Sequence, residues 1–490
     1  MKARACRLGR LPAGFSAAVL ALALAGCAVG PDYEGPAAPA PLAAKAASFR
    51  RAPLAAAENA PPPARWWESL RDPLLTSLVD AALQRSPNVA LAQARLAAAR
   101  ASVNGRSADL LPKAAVVGAA GRTRIPLGTN AQLPPAIQTS IFDAAFDASW
   151  EIDLFGGRRR ALESARAQVQ SQEAQLADAQ VQLAAEVAQA YVRLRDMQNR
   201  IALLQRSARL EEQIVALTRE RQSHAVASEA DVQRVASQWQ MSLAQLPPLE
   251  AQADQALDAL AVLTAQEPGE LDDALRPAAA LPLPPETVAV GDPARMLRRR
   301  PDIRVAERQL AASNAQIGQA IARYFPSVNL MGVIGFSSLT RSQLLDRNSL
   351  TYFTAPVLQW NFLDFGRVRA QVNAAEADRV AAIARYRGAV LSALQDAESA
   401  LSRFGHERER VGRLSLADAS SARALELTQQ RNRAGTASLI DVLDVERQHV
   451  RNEQDLAQAR AALTSDFVAL QKALGLGWEA PAADPAPSHS

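Results

Sequence analysis

The chain has 490 residues, a formal charge of +4, 49% hydrophobic and 5% aromatic residues, two cysteines and four histidines. Lys2, Arg4, Arg7 and Arg10 open it, and residues 1–26 hold no acidic group, so without that segment 50 basic residues balance 50 acidic ones. That balance leaves nothing to steer the protein to nucleic acid. Scattered histidines (His224, His406, His449, His489) show no metal-ligand spacing, and no phosphate loop or nucleophile motif appears, which argues against an enzyme or a metal site.

The basic start runs into AAVLALALAG and ends at Cys27, the order of an export signal. Leu24-Ala25-Gly26-Cys27 has the form of a bacterial lipobox, so residues 1–26 read as a removed signal peptide and Cys27 as the diacylglycerol- and fatty-acid-bearing N-terminus. Ala28 stands where Asp would hold a lipoprotein at the inner membrane, which favours the outer membrane. Both cysteines are then consumed, and no disulfide remains. Residues 27–64 read as a lipidated linker, rich in Pro and Ala and too poor in large apolar groups to fold alone. Residues 65–85 follow as a separate segment.

From residue 86 the chain reads twice, as repeat 1 (86–266) and repeat 2 (300–475), separated by the Pro-rich stretch 267–299. SPN at 86–88 matches RPD at 300–302, and LLP at 110–112 matches YFP at 324–326, both 214 residues on. Trp150 matches Trp360, Phe155-Gly156 matches Phe365-Gly366, and Asp231-Val232 matches Asp441-Val442, all 210 residues on. Two copies of one structural unit account for this. Each copy predicts a helix of about 26 residues (86–111; 300–325), strands, a helix of about 67 residues (157–223; 367–433), a polar break and a last helix (228–266; 437–474). Val187, Tyr191, Leu194 and Ile201 in one long helix, and Ala397, Leu401, Phe404 and Val411 in the other, mark matching apolar stripes. Pro247-Pro248 must kink the last helix of repeat 1 or end it early.

Strand character is strongest from Phe142 to Asp153, where Phe142, Ala144, Phe146, Ala148, Trp150 and Ile152 alternate with polar residues, four of them acidic. This predicts β-hairpins at about 113–153 and 326–363. No apolar run after Cys27 is long enough for a membrane helix, so any crossing must be by strands in a closed barrel. Four strands cannot close one, and the chain must oligomerise. Two, three or four copies remain open on this reasoning.

CAVGPDYEGP, RWWESLRDPLL at 65–75, RRRPDIRVAE at 298–307, YFPSVNL at 324–330 and RAGTASLIDVLDVERQ at 433–448 resemble the NodT-type outer membrane factors, lipoprotein relatives of OprM and, more distantly, TolC. The resemblance spans residues 27–478. It implies an α+β membrane protein: a homotrimer whose 12-stranded transmembrane β-barrel continues into a 12-helix periplasmic α-barrel. An equatorial belt would comprise 65–85, 267–299 and the tail 476–490, of which EAPAADPAPSHS reads as disordered. The implied function is the exit duct of a tripartite efflux pump of the RND type. Its partners would be a periplasmic adaptor (membrane fusion) protein, an inner-membrane transporter and outer membrane lipid, with no cofactor. A type I secretion duct, a heavy-metal efflux duct and a structural lipoprotein tether are the rival readings.

The resemblance also implies sites. Ile440, Asp441, Asp444 and Arg447 would lie at the narrow periplasmic end, with Arg234 as a possible counter-charge. The tip turns Ala225, Val226, Ala227, Ser228 and Gly435, Thr436, Ala437, Ser438 would dock the adaptor. Ser228-x-x-Asp231 and Ser438-x-x-Asp441 also read as helix capping boxes. Ala225 stands where repeat 2 has Gly435, and a non-Gly residue does not take positive φ cheaply, so the first tip is expected to turn differently.

Overall fold

The computed structural model describes residues 28–36, 40, 46, 48–52, 56–57, 62–126 and 136–479. The export signal, Cys27 and residues 480–490 lie outside them. In chain order the elements are β1 (Ala56–Ala57), α1 (Pro73–Arg85), α2 (Pro87–Ala108), β2 (Lys113–Pro126), β3 (Ala136–Ile152), α3 (Gly157–Ser223), α4 (Glu229–Ala244) and α5 (Leu246–Leu263). Then come α6 (Asp272–Leu275), β4 (Val288–Ala289), α7 (Pro293–Arg299), α8 (Pro301–Ala322), β5 (Ser327–Ser338), β6 (Leu350–Gln359), α9 (Arg367–Arg433) and α10 (Leu439–Ala473). Helices α3 and α9 are each 67 residues, and α2 and α8 each 22, so the duplication in sequence is a duplication in structure. α4 ends at Ala244 and α5 begins at Leu246, because a helical Pro lacks the N–H that the preceding turn needs.

The chain forms two compact units. The first comprises the described parts of 1–37, 96–172 and 306–386, and the second those of 38–95, 173–305 and 387–490. The first is organised by an antiparallel sheet in the order β2-β3-β5-β6. Val116 pairs with Phe146, Phe146 with Ile334 and Ile334 with Tyr352, a row of large apolar side chains on one face across all four strands. Phe146, Ile334 and Tyr352 are all more than half exposed. Among the described strands the opposite face is acidic only along β3: Asp147 pairs with Val333, and Val333 with Phe353, and the second hairpin carries no acidic residue on either face. Among the described residues β2 and β6 each pair on one side only.

Both repeats fasten helix to strand with the same devices. Trp150 Nε1 donates to the Leu110 carbonyl at 2.9 Å, and Trp360 Nε1 to that of Tyr324 at 3.0 Å. Asp153 accepts the amides of Arg158 and Arg159 at the start of α3. Asp364 likewise accepts those of Gly366 and Val368 at the start of α9. A carboxylate there satisfies helix N–H groups that have no partner within the helix.

Residues 28–36 do not fold alone; they lie along the first unit. The Val29 amide donates to the Phe155 carbonyl at 3.1 Å, and Asn314 Nδ2 to that of Pro31 at 2.9 Å. Arg160, 5% exposed, donates to the carbonyls of Val29 and Gly30 and to Asp32. Tyr33 packs against Ala167, Ala311 and Ala312 under the Arg308 guanidinium. A Cβ on Gly318 would lie 2.7 Å from the Val29 carbonyl, so only Gly admits this segment here.

The second unit holds the main core. Trp66 and Trp67 contact edge to face at 5.7 Å, and Trp66 meets Phe467 at 6.0 Å. Val187, Tyr191, Leu194, Ala397, Leu401 and Phe404 are buried in the same cluster, with Ile201 and Val411 at its margin, so the stripes read from the sequence are the packed faces. Asp72 caps α1 by accepting the amides of Leu74 and Leu75, and its second oxygen takes the Tyr191 hydroxyl at 2.7 Å. Proline-rich backbone around 275–286 cannot build a ladder, since Pro has no N–H. Its carbonyls are taken instead by side chains: Arg195 on Leu275 and Pro277, Thr464 on Pro282, Arg408 on Pro285. Arg300, from RRRPDIR, holds Asp302 with two bonds and donates to the carbonyl of Ala473, the last residue of α10.

Candidate functional site: the helical tips and the start of the last helix

The candidate residues belong to the second unit, at the two turns that join α3 to α4 and α9 to α10. Both turns have one geometry. The Val226 amide donates to the Arg221 carbonyl at 2.8 Å and the Ala225 amide to that of Gln222 at 2.9 Å. The Thr436 and Gly435 amides do the same to Arg431 and Asn432, at 2.8 and 2.9 Å. These are the crossed bonds that close a helix on a left-handed residue. Ala225 adopts φ +56° and Gly435 φ +75°, so the expectation of a different first tip is wrong. The surrounding bonds and the following cap outweigh the steric preference of one alanine, which carries the strain. The second tip is further stapled by Asn432 Nδ2 donating to the Ala437 carbonyl at 2.8 Å.

Each turn then enters a capped helix. Ser228 Oγ accepts the Asp231 amide at 3.2 Å while Asp231 accepts the Ser228 amide at 3.1 Å; for Ser438 and Asp441 the distances are 3.2 and 2.8 Å. Both boxes are complete. Hydrogen bonds from Ser438 depress the Asp441 carboxyl below the usual range, and the cations Arg431 and Arg221 add to this. The Asp231 carboxyl is depressed by Ser228 and Arg234 in the same way.

Asp441 and Asp444 are exposed on α10, while Val442 and Leu443 between them are buried. Leu443 and Val450 pack on Leu210 and Ile214 of α3, which turns the carboxylates away from the protomer's own core. Asp444 pairs with Arg447 at 3.1 Å, and Ile440 is half-buried beside them. Arg234 is bound to Asp231 at 2.7 Å rather than to Asp441 or Asp444. Within one protomer the cations acting on Asp441 are therefore Arg221 and Arg431. Sequence reasoning missed them, although both end a long helix and correspond at the repeat offset.

It also missed a polar tie just along α10. Arg206 of α3 reaches Glu453 at 2.8 Å and Glu446 at 3.5 Å. His449, 8% exposed, meets Ser421 of α9 at 2.9 Å. The arginine ties α3 to α10 by charge-assisted bonds, and the histidine ties α10 to α9 by a hydrogen bond. Among the described residues no cluster of metal-binding side chains occurs, and no helix is long and apolar enough to cross a membrane.

The chain matches the family described as outer membrane efflux protein over residues 78–266 and 293–476, one match per repeat. It is 31% identical to outer membrane protein OprJ of Pseudomonas aeruginosa over 479 residues, covering 96% of this chain and 97% of that one. It is 30% identical to nodulation protein T of Rhizobium leguminosarum bv. trifolii, covering 93% and 96%. The structure of the outer-membrane channel OprN superposes with a TM-score of 0.80 at 33% identity, covering 92% of this chain and 99% of that one. With two repeats of long helices and a small sheet in the manner of TolC-like channels, the chain belongs to the outer membrane efflux protein family, an outer membrane channel rather than an enzyme.

Proposed function

We propose that the protein is the exit duct of a tripartite RND-type efflux pump and works as a homotrimer. The carrying observation is the four-stranded sheet with an apolar face and two unpaired edges, β2 and β6. Unpaired strand edges cannot be left in hydrocarbon. Three copies joined edge to edge supply 12 strands, and the hairpins of α3 and α9 supply 12 helical strands. Residues 1–26 are removed and Cys27 carries the lipid, which adds a second hold on the membrane. The belt comprises 65–85, 267–299 and 476–479, around a wide water-filled passage whose cargo is selected at the inner-membrane transporter.

In this reading the tips 225–228 and 435–438 dock the periplasmic adaptor, and Ile440, Asp441, Asp444 and Arg447 line the closed end. Three copies bring six carboxylates around one opening, favouring cations over anions. The exposed setting of Asp441 and Asp444 supports this, as does their separation from the protomer core by buried Val442 and Leu443. Arg234 is free to act across subunits only if it leaves Asp231. Crosslinked mass and single-channel recording of the purified protein test the duct: a conducting trimer is expected. A monomer without conductance refutes it, and mass spectrometry of the mature N-terminus tests Cys27.

A further inference from the structure

Charge changes sign along the sheet. α2, α3, α8 and α9 all join the strands at one end; at the other, β2 ends and β3 begins, and residues 339–349 join β5 to β6. Toward the connections the charged residues are Arg122 and Arg124 on β2 and Arg341 and Arg347 between β5 and β6, against the single acid Asp346. Residues 127–135, LGTNAQLPP, carry no charge. Among the described residues none of the four arginines makes an ion pair, and Arg122, Arg124 and Arg341 are exposed.

The register says which face the strand pair occupies. Arg122 is opposite Ser140 and Arg124 opposite Gln138, an even number of residues from Val116 opposite Phe146. With a side-chain period of two, both arginines continue the apolar face. Ser338 pairs with Phe142, so the second connection, with Arg341 and Arg347, starts at nearly the same level. From Lys113 to Arg122 the strand rises about 30 Å, or about 23 Å of height at a tilt near 40°, against an apolar band of about 25 Å in outer membrane barrels. Two arginines on a lipid-facing surface therefore emerge at headgroup level, on the side away from the periplasmic helices.

We propose that Arg122, Arg124, Arg341 and Arg347 form a docking surface for the phosphate groups of the outer-leaflet glycolipid. A guanidinium binds phosphate through two parallel N–H bonds, and arginines two apart on one strand face present such forks about 6.8 Å apart. The proposal rests on reading the sheet as a barrel wall.

The test is native mass spectrometry of the purified protein titrated with diphosphoryl lipid A, monophosphoryl lipid A and phosphatidylglycerol, alongside planar-bilayer conductance. The wild type should prefer diphosphoryl lipid A, and Arg122→Gln with Arg124→Gln should weaken it about fivefold per arginine removed. The variant with all four arginines changed to Gln should lose the preference while conducting like wild type. Equal lipid A binding by wild type and this variant, both conducting, overturns the docking surface alone. Displacement of lipid A by millimolar inorganic phosphate assigns the arginines to free anions and also overturns it. A wild type that never conducts refutes the barrel reading and the proposal with it.

Discussion

Replacing Ala225 with Gly should stabilise the first tip, and replacing Gly435 with Ala should weaken the second. Both positions close a helix in the left-handed region, at φ +56° and +75°, with matching hydrogen bonds. An L-residue pays about 1–2 kcal/mol to sit there. Glycine gives back about 0.4–1 kcal/mol through the greater freedom of its unfolded chain. The net expected gain for Ala225→Gly is about 0.5–1 kcal/mol, with a loss of similar size for Gly435→Ala. No heavy atom lies within 4 Å of a Cβ built on Gly435, so the second change tests backbone strain without a clash. The readout is native-state hydrogen exchange of the Val226 and Thr436 amides, each bonded at 2.8 Å to a carbonyl of the preceding helix. Ala225→Gly should slow Val226 roughly two- to fivefold, and Gly435→Ala should speed Thr436 by a similar factor. Unchanged or faster exchange at Val226 in Ala225→Gly would refute this, showing that the turn holds Ala225 without strain.

Asp441→Ala with Asp444→Ala should raise single-channel conductance and lower cation selectivity with the trimer intact, and Asp444→Ala alone should do more than Asp231→Ala; wild-type currents in all of them would leave Asp441 as a helix cap only. Trp66→Ala, at a fully buried position against Trp67 and Phe467, should destabilise the second unit by about 3–5 kcal/mol in denaturant titration, and a loss under 1 kcal/mol would contradict the assigned core. Burial, with the hydrogen bond to Asp72, pushes the Tyr191 phenol up from its ordinary 10.0 to about 12. The folded state thus holds this proton longer than the unfolded chain, so the contribution is complete below pH 10.0 and is lost as pH rises through about 12. Tyr191→Phe should flatten that part of the alkaline stability profile, and parallel profiles would refute the linkage. Gly318→Val should expel residues 28–36 from the first unit, read as new proteolytic cleavage before residue 37, while resistance equal to wild type would show the close approach to be dispensable.

Much of this molecule is legible in one dimension because its elements are long and periodic. Sixty-seven residues of three- and four-spaced apolar positions admit one local answer, and the second copy, 210 residues on, repeats it independently. The capping boxes were equally readable, since Ser and Asp three apart act within one turn. What could not be read depends on partners far apart in the chain. Tip geometry at Ala225 follows from bonds and a cap around it, against the residue's own preference. The docking of residues 28–36 rests on Arg160, Asn314 and Gly318, whose identities carry no hint of that neighbour. The cations around Asp441 come from the ends of α3 and α9, and Arg234, the nearest candidate in sequence logic, is held by Asp231 instead. Periodicity is a property of adjacent residues and survives in a string of letters. Which charge meets which, and which backbone finds a groove, is settled only when distant segments pack.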